Sequence, residues 1–172
     1  QGFDDSYFEI QQINGGITDL YEFSIVTNIL TIKEGCIRIK SNVFKFSSAI
    51  HHVIFPTTLI EIEQHAFGKC VNLETLYFPA DGELRIIGDY AFTNCPLNSV
   101  TLPNNIETLG DHSFYNTQLT YLEFTNNSRI TSIGDYAFAN NDIQNELNFT
   151  GSPNTFRLTP TSFENNINLP FI

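Results

Sequence analysis

Apolar and polar residues follow a pattern along this chain that returns every 22 to 25 residues. Each copy opens with an apolar-x-x-apolar-x-apolar stretch, as in Leu73/Leu76/Phe78, and its last three positions alternate with period 2. This alternation predicts a short strand with one buried face. Proline follows in several copies, as at Pro79, and ends the strand because it cannot donate a ladder hydrogen bond. The copies are centred on Leu30/Ile32, Val53, Leu76, Val100, Leu122 and Leu147/Phe149.

A second apolar-x-x-apolar segment, such as Leu84/Ile87, predicts another short extended element on a different side of each coil. A Gly-Asp pair then marks a corner, where glycine permits a positive φ and aspartate caps a following helical turn. That turn buries a small residue and a phenylalanine. The pair recurs at Ala66/Phe67, Ala91/Phe92, Ser113/Phe114, Ala137/Phe138 and Ser162/Phe163.

Self-similarity at such a period predicts a solenoid, in which each repeat packs only against its neighbours. We interpret residues 27–172 as about six repeats, of which the last is degenerate. Residues 1–26 fit the period poorly. Phe8 to Ile10, a turn at 14–16 and a stretch from 17 to 23 predict a strand, a tight turn and a second strand. This segment is either a cap over the first coil or a degenerate repeat.

The combined pattern resembles the BspA-like class of leucine-rich repeats, with a consensus near Leu-x-x-Ile-x-Ile-Pro-x-x-Val-x-x-Ile-Gly-x-x-Ala-Phe-x-x-Cys. Residues 73–95 and 97–117 match at nearly every fixed position, and residues 50–70 and 119–141 match at most. The resemblance implies a leucine-rich-repeat solenoid, an α/β-type repeat that is mostly β with short helical or 3₁₀ turns. It further implies a curved right-handed coil with a parallel sheet on its concave side.

Charge and composition exclude several functional classes. The net charge of −11, with only 8 scattered Lys and Arg residues, disfavours binding to nucleic acid or to an anionic membrane surface. No apolar run approaches the ~18 residues of a membrane span, so we expect no direct membrane insertion. A chain with 41% hydrophobic residues and 16 Phe is not disordered.

The three cysteines are expected to be buried free thiols. Cys70 and Cys95 occupy the same repeat position, so stacking places their Cα atoms roughly 4.8 Å apart, which leaves a disulfide open as an alternative. Cys36 falls in an apolar column and is expected in the core. We expect no metal and no cofactor, since His65 and His112 lie two repeats apart and four ligands do not converge.

No catalytic motif is present, neither a Gly-x-Ser-x-Gly elbow nor a phosphate loop nor His-Glu-x-x-His. Stacked coils also leave no enclosed cavity of the kind that active sites occupy. We therefore predict that the chain is not an enzyme. Two Asn-x-Ser/Thr sequons, at Asn126 and Asn148, leave glycosylation open.

The outward positions of the predicted strands form three columns of mostly small, polar residues. The exceptions cluster, because His51, His52, Ile54 and Tyr77 lie on adjacent repeats and Tyr121 lies two repeats on. Exposed aromatic side chains on a concave surface are typical of binding hot spots. The predicted partner-binding residues are His51, His52, Ile54, Thr75, Tyr77, Tyr121 and Glu123.

These observations favour a non-enzymatic protein-recognition or adhesion module. The resemblance implies a protein on or outside the cells of bacteria or protozoan parasites, where family members bind host proteins or one another. A structural spacer that self-associates end to end is the alternative, and a cytoplasmic location stays open. Carbohydrate binding through exposed Tyr and Asn is a third, minor interpretation.

Overall fold

In the computed structural model of the protein, residues 8–10, 21–125, 129–149 and 152–170 are described. Within these ranges the regular elements are short β-strands, and no helix occurs. The strands are β1 (Phe8–Ile10), β2 (Tyr21–Ser24), β3 (Ile29–Ile32), β4 (Cys36–Ile39), β5 (His52–Ile54), β6 (Glu61–Ile62), β7 (Thr75–Tyr77), β8 (Ile86–Ile87), β9 (Ser99–Leu102), β10 (Thr108–Leu109), β11 (Tyr121–Phe124), β12 (Ser132–Ile133) and β13 (Arg157–Leu158).

Each coil of the solenoid contributes one strand to each of two sides. The rear sheet has the order β1-β4-β6-β8-β10-β12-β13. The front side, here called the strand face, consists of a four-stranded sheet, β2-β3-β5-β7, and a two-stranded sheet, β11-β9. Pairing between successive coils is parallel. Five coils thus have both strands, β13 continues only the rear sheet, and the predicted solenoid of repeats is confirmed.

The core is built around one phenylalanine from each coil. Phe67, Phe92, Phe114 and Phe138 are fully buried, and their rings stack at centroid separations of 5.2–5.3 Å. Leucine and isoleucine side chains from both sides of each coil fill the space around this column. Because ring stacking follows the coil spacing, the same residue must recur once in every period.

The segment that carries each phenylalanine is a series of turns. In the third coil the N–H groups of Tyr90, Phe92 and Asn94 donate to carbonyls of the next coil, whereas those of Ala91 and Thr93 donate to carbonyls three residues back. Tyr90 (φ 57°) and Asn94 (φ 57°) are left-handed. A helix needs consecutive local hydrogen bonds and right-handed φ values, so the prediction of a short helical or 3₁₀ turn is corrected here.

Glycine at the corner serves the contact between coils. None of Gly88, Gly110 and Gly134 has a left-handed φ, which corrects the expectation of a positive φ at these positions. A Cβ atom on Gly110 would instead lie 2.5 Å from the Asp89 backbone nitrogen and 2.7 Å from the Gly88 carbonyl carbon. The neighbouring coil therefore leaves room for glycine alone.

The corner aspartates link successive coils. The Asp111 N–H donates to Oδ1 of Asp89 over 2.8 Å, and the Asp135 N–H donates to Oδ1 of Asp111 over 2.8 Å. Thr161 Oγ1 continues the series by donating to Oδ1 of Asp135. The aspartates were expected to cap a turn within their own coil, but these bonds connect one coil to the next.

The N-terminal strands run against the direction of the coils. β1 pairs antiparallel with β4, and β2 pairs antiparallel with β3, so each lies along the first coil on one side of the solenoid. The predicted turn at 14–16 lies outside the described residues. A cap requires this kind of contact with the first coil, and the domain boundary at residue 26 stays a prediction.

The strand expected at Leu147/Phe149 is absent from the described residues. Asn145 takes its place, because its side-chain Oδ1 accepts the Leu122 N–H over 3.0 Å and its Nδ2 donates to the Leu122 carbonyl over 2.7 Å. The Asn145 amide thus pairs with the backbone N–H and C=O groups of Leu122 in β11, as a neighbouring strand would. The apolar pattern alone could not distinguish these two arrangements.

The three cysteines are free and buried, as expected. The Cys70 thiol donates to the Phe44 carbonyl over 3.1 Å, and the Cys95 thiol donates to the Phe67 carbonyl over 3.1 Å. Burial raises the pKa of Cys36 to about 12, and burial raises the pKa of Cys95 as well.

We predict that the thiols of the native protein do not react with a thiol-specific chromogenic reagent at pH 8, because only an accessible thiolate reacts. After unfolding in guanidinium chloride, three thiols per chain should react at once. Rapid reaction of two thiols in the native state would contradict the burial of Cys70 and Cys95, and a total of one after unfolding would indicate a disulfide.

We also predict that Gly110→Ala lowers the free energy of unfolding by about 1–3 kcal/mol, because the added methyl group overlaps the backbone of the preceding coil. The matched control is Gly68→Ala, whose Cβ would lie 3.3 Å from the nearest backbone atom and should cost less. Urea denaturation followed by circular dichroism measures both. Equal losses in the two variants would contradict close approach at the corner.

Candidate functional site

The strand face aligns the predicted residues as the repeat period requires. Between β5 and β7, His52 lies beside Thr75 and Ile54 lies beside Tyr77. Ile54 is 39% exposed and Tyr77 is 53% exposed, which makes them the two most prominent apolar side chains of these strands. They form one apolar pair on a face whose other outward positions are mostly polar.

The strand face is interrupted between β7 and β9, which form the edges of two different sheets. The interruption coincides with a change in chain length. Five residues separate Phe67 from Leu73, as they separate Phe44 from Ile50, but only four separate Phe92 from Leu97. The connections from Phe114 to Leu119 and from Phe138 to Ile143 keep this shorter length.

Asn98 shows how the change from the longer to the shorter connection breaks the ladder. In the preceding coil the Glu74 N–H donates backward, to the His51 carbonyl, over 2.8 Å. At the equivalent position Asn98 is left-handed (φ 61°), and its N–H points forward to the Thr117 carbonyl at 3.4 Å. The hydrogen bond from Asn98 to the coil before it is therefore lost.

A groove lies along this break. One cavity of about 500 Å³ is bordered by Ile54 and Tyr77 on one side and by Thr101 on the other. A second cavity of about 430 Å³ lies next to it, and the two share Thr75 and Ser99 in their walls. The groove thus follows the two strand edges and joins three of the predicted residues: Ile54, Thr75 and Tyr77.

Tyr121 and Glu123 lie on the far side of the groove. Both belong to β11, where Tyr121 is beside Ser99 and Glu123 is beside Thr101. The Tyr121 hydroxyl donates to Oε2 of Glu123 over 3.1 Å, and this hydrogen bond raises the pKa of Tyr121. Tyr121 is 44% exposed. Because β7 lies on one side of β9 and β11 on the other, Tyr77 and Tyr121 flank the small side chains of β9.

The histidines lie beside the groove. The rings of His51 and His52 are 6.3 Å apart, and neither residue borders the two cavities. The Nδ1 atom of His52 is buried and has no hydrogen-bond partner among the described residues. Their predicted role in binding is therefore that of flanking residues.

Sequence reasoning missed the floor of the groove. Ser99 and Thr101 are exposed on β9 and were assigned only to the polar background of the face. Two signals could have found them: small side chains next to Tyr77 in the aligned columns, and the loss of one residue between Phe92 and Leu97.

The described residues show no group of three or more His, Cys, Asp or Glu side chains that could hold a metal ion. Nor does any helix among them have the length and apolar character that crossing a bilayer requires. The groove itself contains hydroxyl, aliphatic and aromatic groups around two strand edges. This arrangement can hold a ligand by contact area and by backbone hydrogen bonds.

Comparison with solved structures supports the fold. A leucine-rich repeat protein of T. pallidum is similar with a TM-score of 0.59 and 20% sequence identity, over 86% of this chain and 71% of that one. The pneumococcal vaccine antigen PcpA has a TM-score of 0.59 and 18% identity, over 87% of this chain and 45% of its own. The chain therefore spans less than half of the length of PcpA in that structure.

Sequence comparison identifies the family. No curated protein matches the chain at a significant level. The model of the BspA type leucine-rich repeat region, however, matches six copies across residues 37–170. These copies cover most of the chain, over the residues that form the solenoid. The chain therefore belongs to the family of BspA-type leucine-rich repeat proteins.

Proposed function

We propose that this chain is a non-enzymatic protein-recognition module that binds its partner through the strand face, centred on the groove between β7 and β9. The observation that carries the proposal is the apolar pair of Ile54 and Tyr77, exposed beside an interruption of the sheet. Leucine-rich repeats in general mediate contacts between proteins, which supports the same assignment.

The groove suits a protein partner better than a small molecule. It is open along its length, and its floor is formed by two strand edges that are not hydrogen-bonded to each other. Strand edges present N–H and C=O groups that another polypeptide can satisfy. Tyr77 and Ile54 would then contribute apolar contact at the centre, where hot-spot residues are found.

The shape and location of the protein belong to this proposal. We infer that the solenoid is a curved right-handed coil with the strand face on its concave side, and that the protein acts in adhesion at a cell surface or after secretion. The naming of one solved relative as a vaccine antigen supports an exposed location. The partner is a host protein or another copy of the chain.

We predict that a photo-reactive benzoyl-phenylalanine at position 77 cross-links the partner, and that Tyr77→Ala then weakens binding of the purified partner by about tenfold or more, as expected for a central aromatic residue. Surface plasmon resonance measures the affinity. The same photo-reactive residue at position 136, on the turn side, should give no cross-link. An unchanged affinity of Tyr77→Ala would contradict the proposal.

A matched pair of isoleucines sharpens this experiment. Ile54 and Ile60 are both 39% exposed, but only Ile54 borders the groove. Ile54→Thr should weaken binding severalfold, whereas Ile60→Thr should bind as the native protein does. Equal effects of the two substitutions would place the contact elsewhere on the molecule.

Self-association is the second candidate. β13 is the outer strand of the rear sheet among the described residues, and both of its residues are exposed. An exposed edge of this kind can pair with a second chain. Light scattering over a concentration series separates the candidates, because a strict monomer that binds a different protein would exclude the spacer role.

A further inference from the structure

On the turn side of the solenoid, the residue two positions after the core phenylalanine of each coil is left-handed. In the third and later coils this residue is asparagine, at Asn94, Asn116, Asn140 and Asn165. Asparagine tolerates the left-handed region better than most residues because its short amide can hydrogen-bond locally. The amides also bond along the column: Asn116 Nδ2 donates to Asn94 Oδ1 over 2.8 Å, and Asn165 Nδ2 donates to Asn140 Oδ1 over 2.7 Å.

The first two coils depart from this pattern, with Phe46 and Lys69 in the asparagine position. Phe46 has a φ of 65°, although a bulky residue in the left-handed region is an outlier. Its ring is also 62% exposed, so core packing does not offset the strain. The conformation itself belongs to the repeat, because the Phe46 N–H donates to the Gly68 carbonyl over 2.9 Å. What sets Phe46 apart is therefore an exposed aromatic ring in place of an asparagine amide.

Two lysines surround this ring. Lys45 Nζ lies 5.1 Å and Lys69 Nζ lies 5.5 Å from the centroid of the Phe46 ring. Both distances are within the range of cation–π attraction. Burial first, and then the positive charges of Lys45 and Lys69, lower the pKa of the nearby His65 imidazole. We call Phe46, Lys45 and Lys69 the Phe46 patch.

The charge of the patch differs from that of the remaining chain. All four lysines lie between residues 33 and 69, whereas residues 81–164 contain ten carboxylate side chains and three arginines. The two residues that replace asparagine are thus in contact with each other, in the half of the chain that holds every lysine. An exposed apolar ring between two ammonium groups suits a ligand that combines carboxylates with an apolar side chain.

We propose that the Phe46 patch is a second interaction surface, separate from the strand face, that docks an acidic segment of a partner protein. An aliphatic or aromatic side chain of the segment packs on the Phe46 ring, and flanking carboxylates pair with Lys45 and Lys69. A short segment meets only the patch. An anionic bilayer or a nucleic acid would also extend over the acidic coils, which repel it.

The variant that tests this proposal is Phe46→Asn, which installs the residue that four later coils have at the same position. Because asparagine suits the left-handed conformation, the melting temperature should stay the same or rise. A lower melting temperature would show that the ring packs against the protein's own chain, and would overturn the proposal. The probe is a phage-displayed library of random 12-residue peptides.

Peptides selected on the native chain and depleted by Phe46→Asn should be enriched in Asp and Glu around at least one apolar residue. A synthetic peptide of that sequence should bind Phe46→Asn about tenfold more weakly or worse, and Lys45→Gln and Lys69→Asn severalfold more weakly, by fluorescence polarisation. Ile167→Asn, which removes another strongly exposed apolar side chain, should bind as the native chain does. Raising the salt concentration should weaken binding.

Three results would overturn the proposal. The first is a selected pool without an acidic bias, and the second is equal binding of the peptide to the native chain and Phe46→Asn. The third is binding to phosphatidylserine vesicles that requires Phe46 in the absence of any acidic peptide ligand, which would assign the patch to a membrane surface.

Discussion

Hydrogen bonding between the backbones of successive coils is the interaction on which the rest of this structure depends. In the turns, every second N–H donates to the next coil. Strands of successive coils pair in parallel along the rear sheet, and also on the strand face except between β7 and β9. A buried backbone group that lacks a partner is costly, so one coil cannot be stable alone. The spacing between coils is consequently fixed at the distance of a β-ladder, about 4.8 Å.

That spacing explains why so many repeat positions admit only one kind of residue. Stacked phenylalanine rings fit because flat rings pack at nearly the ladder distance, with small tilts. Glycine occupies the corner because the backbone of the preceding coil lies where a Cβ atom would be. Aspartate follows it because a carboxylate can accept the N–H of the equivalent residue one coil further on. The residues of the Gly-Asp-Tyr-Ala-Phe motif therefore make the contacts between coils. Residues that recognise a partner would lie at positions outside this motif.

The sequence predicts those structural features that depend only on the position of a residue within its repeat. The phenylalanine column, the register of Ile54 beside Tyr77 and the burial of the cysteines follow once the copies are aligned, because equal phase means equal position on the coil. The turn conformation could not be predicted in this way. Tyr90 has no preference for a left-handed φ and adopts it because its N–H must reach the next coil. Glycine is equally compatible with a positive φ and with close approach of a neighbouring backbone. The sequence alone could therefore not distinguish these two roles.

The candidate site was half predictable for the same reason. The alignment identified Ile54, Thr75 and Tyr77, but the groove that joins them depends on a single residue missing before Leu97, which the hydrophobic pattern hardly records. Asn145 is a similar case, since a side-chain amide that replaces a strand leaves no periodic signal. The hydrophobic pattern continues unchanged where a side chain replaces a strand backbone or where a connection loses one residue. The hydrogen-bonded sheet, in contrast, is interrupted at both places.

The interruption between β7 and β9 also divides the solenoid thermodynamically. Stability in a repeat protein is a sum over interfaces between neighbours, and this one interface lacks the front half of its ladder. The earlier and later coils are therefore coupled through the rear sheet, the phenylalanine column and the hydrogen bonds of the turn side, but not through a ladder on the strand face. A ligand that contacts both edges of the groove would strengthen this weaker interface and so raise the cooperativity of unfolding. Ligand binding in the groove and the cooperativity of folding would then be linked at this position.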